Sequence, residues 1–209
     1  MSNEKPIIFN DQMVRAILEG RKTQTRRIAK PPKGFDWVDE SLGTVANKND
    51  DMWPVYELEE VSNPFGQAGD YLWVREAHSI VPRTAYAHSE GVNQMMSPLN
   101  SHDAAIYRAD WERSPPSRWK PSIHMPRWAA RINLQIKKIR VERLQNISEA
   151  DAKSEGAPCC TWDGEAFYED SIHDSFKCGF AGLWASIYGA ESWDKNPWVH
   201  VIEFERETD

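Results

Sequence analysis

The sequence predicts an α+β chain, mainly β: a small mixed barrel with short helices at its rim and long loop insertions. Three observations point there. Five or six segments have strand length and an apolar or alternating character, only three short segments have helical spacing, and the two kinds do not alternate as in a layered α/β fold.

Taken in order, residues 6–9 (PIIF) read as a short strand entering Asn10. The Asn10 side chain suits the N-cap of a helix with Met13, Val14, Ile17 and Leu18 on its apolar face. Gly20 stops that helix, because a glycine just past the last periodic residue readily takes the left-handed conformation. Residues 21–28 leave the turn as an extended segment. In an ideal strand Lys22 and Thr25, three apart, do not share a face, so they converge only where the turn distorts the start.

Residues 31–66, rich in Pro, Gly, Asn and Asp, are expected to hold at most one strand, near 55–58. A turn at 67–70 feeds a strand over 71–78 (YLWVREAH), with Leu72, Val74 and Glu76 on one face and Tyr71, Trp73 and Arg75 on the other. Residues 79–103 read as polar loop, 104–108 as a short strand and 110–126 as a proline-rich ordered loop. A long strand follows over 131–144, with a bulge at Lys137 and Lys138. A short helix over 148–155 ends at Gly156. Another spans 175–188, with Phe176, Phe180, Leu183, Trp184 and Ile187 as a core stripe, and a terminal strand covers 198–205.

With 209 residues and 40% hydrophobic content, the chain has material for one sizeable core. No apolar run reaches the roughly eighteen residues of a membrane span, and MSNEKPIIF lacks the basic start of a signal peptide. Three cysteines, Cys159, Cys160 and Cys178, do not suit a secreted disulfide framework, so a reducing cytoplasm is the expected compartment. A net charge of −7 opposes sequence-independent binding along DNA and confines any nucleic-acid contact to a local site.

The basic residues concentrate in Gly20–Arg27, GRKTQTRR. Lysine supplies a compact charge whose pKa falls on burial, and arginine a planar fork suited to phosphate or a base edge. A hydroxyl beside a desolvated lysine is a candidate nucleophile. A solvated basic strand has the same composition, and the P-loop spacing is missing. Cys159, Cys160, His173 and Cys178 lack the C-x-x-C spacing of a zinc knuckle, and no histidine pair has metallohydrolase spacing, so no metal or other cofactor is expected. Trp119, Lys120, His124, Arg127, Trp128 and Arg131 form a basic, aromatic stretch that suits either a nucleic-acid groove or an ordered loop packing its indoles.

Gly20-x-Lys22-x-x-Thr25-x-Arg27 resembles the G-x-K-x-x-[ET]-x-R signature of the ASCH superfamily, PUA-like β-barrels linked to RNA binding and RNA-modification chemistry. The order of elements is similar too: strand, helix, signature, a G-D-x-L-x-V strand at 69–74, a long strand, two helices and a terminal V-I-E-F strand at 201–204. The resemblance implies one ASCH domain over 1–209, with insertions at about 31–66 and 79–126, of the long kind found in bacteriophages and prophages. Small bacterial members remove the acetyl group from N4-acetylcytidine with a lysine, a threonine and a glutamate. That likeness implies Lys22 as general base, Thr25 as nucleophile or water-positioning hydroxyl, and Glu155, in the A-x-x-E run at 152–155, as proton shuttle. Glu76 is the backup acid. Gly20, Arg21, Thr23, Arg26, Arg27, Trp73, Arg75, Glu76 and Trp128 are then the substrate-binding candidates, and the implied partner is a modified nucleoside or RNA rather than a membrane. Two further activities of such modules stay open: non-catalytic binding of RNA or a modified base, with Lys22, Arg26 and Arg27 on phosphate and Trp73 or Trp128 stacking, and ribonuclease action.

Overall fold

The computed structural model of the chain describes residues 3–31, 33–47, 55–57, 63–160 and 175–207. In chain order its elements are β1 (Glu4–Ile8), α1 (Asp11–Leu18), β2 (Gln24–Ile28), β3 (Phe35–Asp39), β4 (Thr44–Asn47), β5 (Val55–Glu57), β6 (Tyr71–Arg75), β7 (His78–Pro82), β8 (Met95–Met96), β9 (Asp103–Tyr107), β10 (Asn133–Arg143), α2 (Glu149–Ser154), α3 (Phe176–Tyr188) and β11 (Trp198–Arg206). The fold is α+β and mainly β. Its contacts group into two compact units: Met1–Gly20 with Gly69–Gln135 and Glu205–Asp209, and Arg21–Ala68 with Ile136–Phe204.

In the first unit β1 runs parallel to β6, pairing Ile7 with Val74, and β6 runs antiparallel to the first residues of β10, pairing Leu72 with Leu134. Alternation on β6 buries Leu72 and Val74 completely, as a half-covered strand requires. Asn10 caps α1 by accepting from Met13 N–H at 2.9 Å, and Met13, Val14, Ala16 and Ile17 form its buried face. Each buried Val, Leu or Ile of this kind stabilises by roughly 1.5–3 kcal/mol. A second sheet, β7-β9-β8, buries Ala105 and Tyr107 against Met125 and Ala129. The Tyr107 hydroxyl donates to Ala129 O at 2.7 Å.

In the second unit β2 lies antiparallel to β11, pairing Thr25 with Ile202 and Arg26 with Val201, and β11 neighbours β10. Buried positions on β10 shift from Leu134 and Ile136 to Val141 across the exposed Lys137 and Lys138, so the strand changes phase there. Ser148 caps α2 and Ser175 caps α3. Ala152, Phe180 and Trp184 from these helices pack on Leu144, Ile147, Val199 and Val201. Gly179 lets α3 approach closely, since a Cβ there would lie 1.8 Å from Pro158 O.

Two expectations fail. Residues 31–66, expected to hold at most one strand, contain the meander β3-β4-β5, where Val45 is buried beneath Phe35, Trp37 and Tyr56. Residues 79–103, read as loop, contain most of β7 and all of β8. In both cases polar side chains flank one or two packed positions, so the periodicity is too sparse to show in sequence. Strands therefore outnumber the five or six expected. Among the described residues the pairings do not close into a barrel, and no helix is long and apolar enough to cross a membrane.

Candidate functional site

The site forms where the signature meets the end of α2. Gly20, at φ 74°, ends the α1 turn with its N–H on Ile17 O at 3.0 Å. The chain then enters the second unit. There Lys22 makes an isolated antiparallel bridge with Glu155, and Thr23 N–H donates to Ser154 O at 2.9 Å. Glu155 is the C-cap of α2, and Gly156 at φ 73° turns the chain away. Local stop signals at two glycines thus bring together residues 133 apart in sequence.

Lys22 Nζ donates three bonds, each 2.8 Å, to Gln24 O, Glu155 O and Glu155 Oε2. The other carboxylate oxygen of Glu155 accepts from Arg26 Nη1 at 3.1 Å. Arg26 Nη2 reaches Glu142 at 2.6 Å and Asp151 at 3.4 Å, and its guanidinium lies 5.8 Å from the Phe180 ring centroid. Arg140 completes the network by donating to Glu142 (3.1 Å), Asp151 (3.3 Å) and Glu203. The Gln24 amide fits with its nitrogen toward Asp151 Oδ1 (3.2 Å) and its oxygen toward Arg26 Nη1 (2.5 Å). Three cations thus face four carboxylates.

Lys22, Thr25, Arg26 and Glu155 are each at most 3% exposed. Burial pushes the Lys22 amine below its ordinary pKa. Glu155 opposes that shift, while Arg27 and Arg26 add to it. Burial works the other way on Asp151, but Arg26 and Arg140 outweigh it and hold its carboxyl below the usual range. A cleft of about 320 Å³ lies over the outer part of the network, lined by Thr23, Gln24, Lys137, Asp151, Ser154 and Glu203 among others. Lys22 and Glu155 do not line it.

The structure therefore joins Lys22, Glu155 and Arg26. Thr25 lies on the pleat opposite Gln24 and Arg26, in register with Ile202. Arg21 and Thr23 are exposed, and Arg27 is half-buried opposite His200. Arg26, a candidate phosphate contact by sequence, is instead enclosed by three carboxylates. Trp73, Arg75, Glu76 and Trp128 belong to the first unit. Trp73 lies beside the guanidiniums of Arg75 (5.5 Å) and Arg127 (5.7 Å), and Arg75 donates to Ile123 O. Trp128 packs beside the Tyr107–Met125 cluster. Glu76 is gripped by both arms of Arg131 at 2.8 and 2.9 Å.

Sequence reasoning missed Glu142, Asp151, Arg140 and Glu203. A signal was present: Arg140 and Glu142 recur every second residue, placing charge on one face of a long strand otherwise read as core. The cysteines form no disulfide, and among the described residues no three His, Cys, Asp or Glu side chains are grouped to hold a metal ion. His173 lies outside the described residues. Compared with models of known families, with curated proteins and with solved structures, the chain matches none.

Proposed function

We propose that this chain is a PUA-like, ASCH-type protein directed at a modified nucleoside or RNA, and that it hydrolyses an N4-acyl group from cytidine. The observation that carries this reading is the direct contact between Lys22 Nζ and Glu155 Oε2 at 2.8 Å, in a buried setting that favours the neutral amine. A neutral lysine is a competent base near neutral pH, and a carboxyl in contact with it completes a proton path.

In this reaction a water attacks the acyl carbon while its proton passes to Lys22 Nζ. Thr25, on the opposite pleat of β2, is not within the group that Lys22 and Glu155 form, which corrects its expected role as nucleophile. The C–N4 bond breaks as that proton moves from Lys22 Nζ through Glu155 Oε2 to N4, which returns Lys22 to the neutral amine. After hydrolysis the products are cytidine and the free carboxylic acid. Arg26 holds the Glu155 carboxylate toward Lys22 and leaves one oxygen to each cation. Since the pair is covered, turnover requires an opening that admits the acyl group.

A second reading has one observation in its favour: all three hydrogens of a charged Lys22 ammonium meet acceptors, the arrangement of an ion lock inside a non-catalytic binding module. Purified protein incubated with N4-acetylcytidine separates the two. The hydrolase reading expects cytidine release that Lys22→Ala lowers by about 10²–10⁴-fold. Folded wild-type protein that releases no cytidine from N4-acetyl- or N4-formylcytidine rejects it.

A further inference from the structure

The first unit holds a cleft of about 300 Å³ that plays no part in the Lys22 chemistry, with Phe9, Asn10, Asp11, Arg108, Trp119 and Lys120 among its walls. Its aromatic wall is braced. Trp119 sits edge-to-face with Trp111 at 5.5 Å, Trp111 sits edge-to-face with Tyr86 at 5.0 Å, and Trp111 Nε1 donates to Ser114 O at 3.0 Å. These rings lie in segments that contribute little to the buried core, so the row serves to fix Trp119 at the cleft. Lys120 is fixed as well: its backbone exchanges both hydrogen bonds with His78, at 2.7 and 3.2 Å.

The polar groups are complementary in kind. The Lys120 ammonium is exposed and has no ion partner among the described residues. Arg108 spends Nε on Asp11 Oδ2 at 2.6 Å and keeps a half-exposed guanidinium. Asp11 Oδ1 is buried with no hydrogen-bond partner among the described residues. A flat indole, two cations and an acceptor fit a ligand with a planar ring, an anion and an amine donor.

We propose that this cleft binds a nucleotide, with its base against Trp119, its phosphate between Lys120 and Arg108, and an exocyclic amine donating to Asp11. The nucleotide is either free or part of a single strand. The proposal stands on the first unit alone and does not depend on the chemistry of Lys22.

Calorimetric titration tests it on full-length wild type, Lys22→Ala, Trp119→Leu and Lys120→Glu, with cytidine 5′-monophosphate, cytidine and a single-stranded RNA hexamer as probes. Cytidine monophosphate binds wild type and Lys22→Ala alike, and Trp119→Leu weakens it by about tenfold or more. Lys120→Glu weakens the monophosphate more than it weakens cytidine. A hexamer that binds tighter than the monophosphate identifies a strand as the source, and equal or weaker binding identifies the free nucleotide. Absence of saturable binding in wild type, or unchanged monophosphate affinity in Lys120→Glu, overturns the proposal, and the latter holds even if Trp119→Leu misfolds. Loss of N4-acetylcytidine turnover with intact monophosphate binding would count against the hydrolase reading alone.

Discussion

Each unit holds an ionic cluster around a buried carboxylate, Glu76 in the first and Glu155 in the second, and the two are built differently. In the first unit a single arginine, Arg131, grips Glu76 with two bonds and Asp110 with two more, and lies 4.0 Å from the Tyr107 ring centroid. In the second unit a lysine shares Glu155 with Arg26 while Arg140 closes the far side. Arginine keeps its charge in any protein setting and its fork fits carboxylates bidentately, so the first cluster is a clamp. Lysine releases its proton when desolvated, so the second has a group that changes state. The difference separates a cluster fixed in charge from one whose lysine can change its protonation state.

The largest expected effect falls on the clamp. Arg131→Met leaves Glu76 buried without its counter-ion and costs about 3–5 kcal/mol of stability, read as a lower urea midpoint. Glu76→Gln in the same background recovers part of that loss, because the uncompensated charge is gone. A double variant as unstable as Arg131→Met would show that packing, not charge, sets the cost.

The two clusters also respond oppositely to pH. The Lys22 pKa is lower in the folded chain than in the unfolded one, so between that value and about 10.5 the unfolded state binds more protons and stability rises with pH. Lys22→Met removes this rise. For Glu76, burial raises the carboxyl pKa although Arg131 opposes it. Its contribution is fully present below about 4.5 and is lost as pH climbs through the raised folded value, a fall that Glu76→Gln abolishes. A folded pKa one unit away from the unfolded one corresponds to about 1.4 kcal/mol. Urea denaturation across pH 4–11 measures both slopes, and slopes of the same sign would remove the contrast.

The smallest effects lie at the helix caps. Asn10→Ala, which removes the acceptor for Met13 N–H, and Ser148→Ala, which removes that for Asp151 N–H, each cost about 1 kcal/mol. Ser148→Ala has a second consequence, because α2 carries Glu155. On the proposed hydrolase reading it lowers N4-acetylcytidine turnover, whereas Asn10→Ala does not.

What is legible in the sequence is local. Asn10 and Gly20 delimit α1, Ser148 and Gly156 delimit α2, and the long apolar periods of β10, α3 and β11 show without tertiary information. Strands β3–β5 stay hidden because Phe35, Trp37, Val45 and Tyr56 are few and separated by acids, and their burial depends on pairing across a meander. Strand β8 is two residues long and exists through its pairing with β9. Of the site, Lys22 and Glu155 are readable through the motif and the helix stop. Arg26 reads as a solvent-facing phosphate contact because charged side chains favour the surface, and only the carboxylates of β10 and α2 turn it inward.

The sharpest test of proton transfer at Lys22 is hydrolysis of N4-acetylcytidine by wild type and Lys22→Ala, each checked for folding by its urea transition. Wild type is expected to release cytidine, and a Lys22→Ala protein that still unfolds cooperatively to lose two or more orders of magnitude in rate. Equal turnover by the two proteins, or none by wild type, would refute that role and leave Lys22–Glu155 an ion lock like the Arg131 clamp.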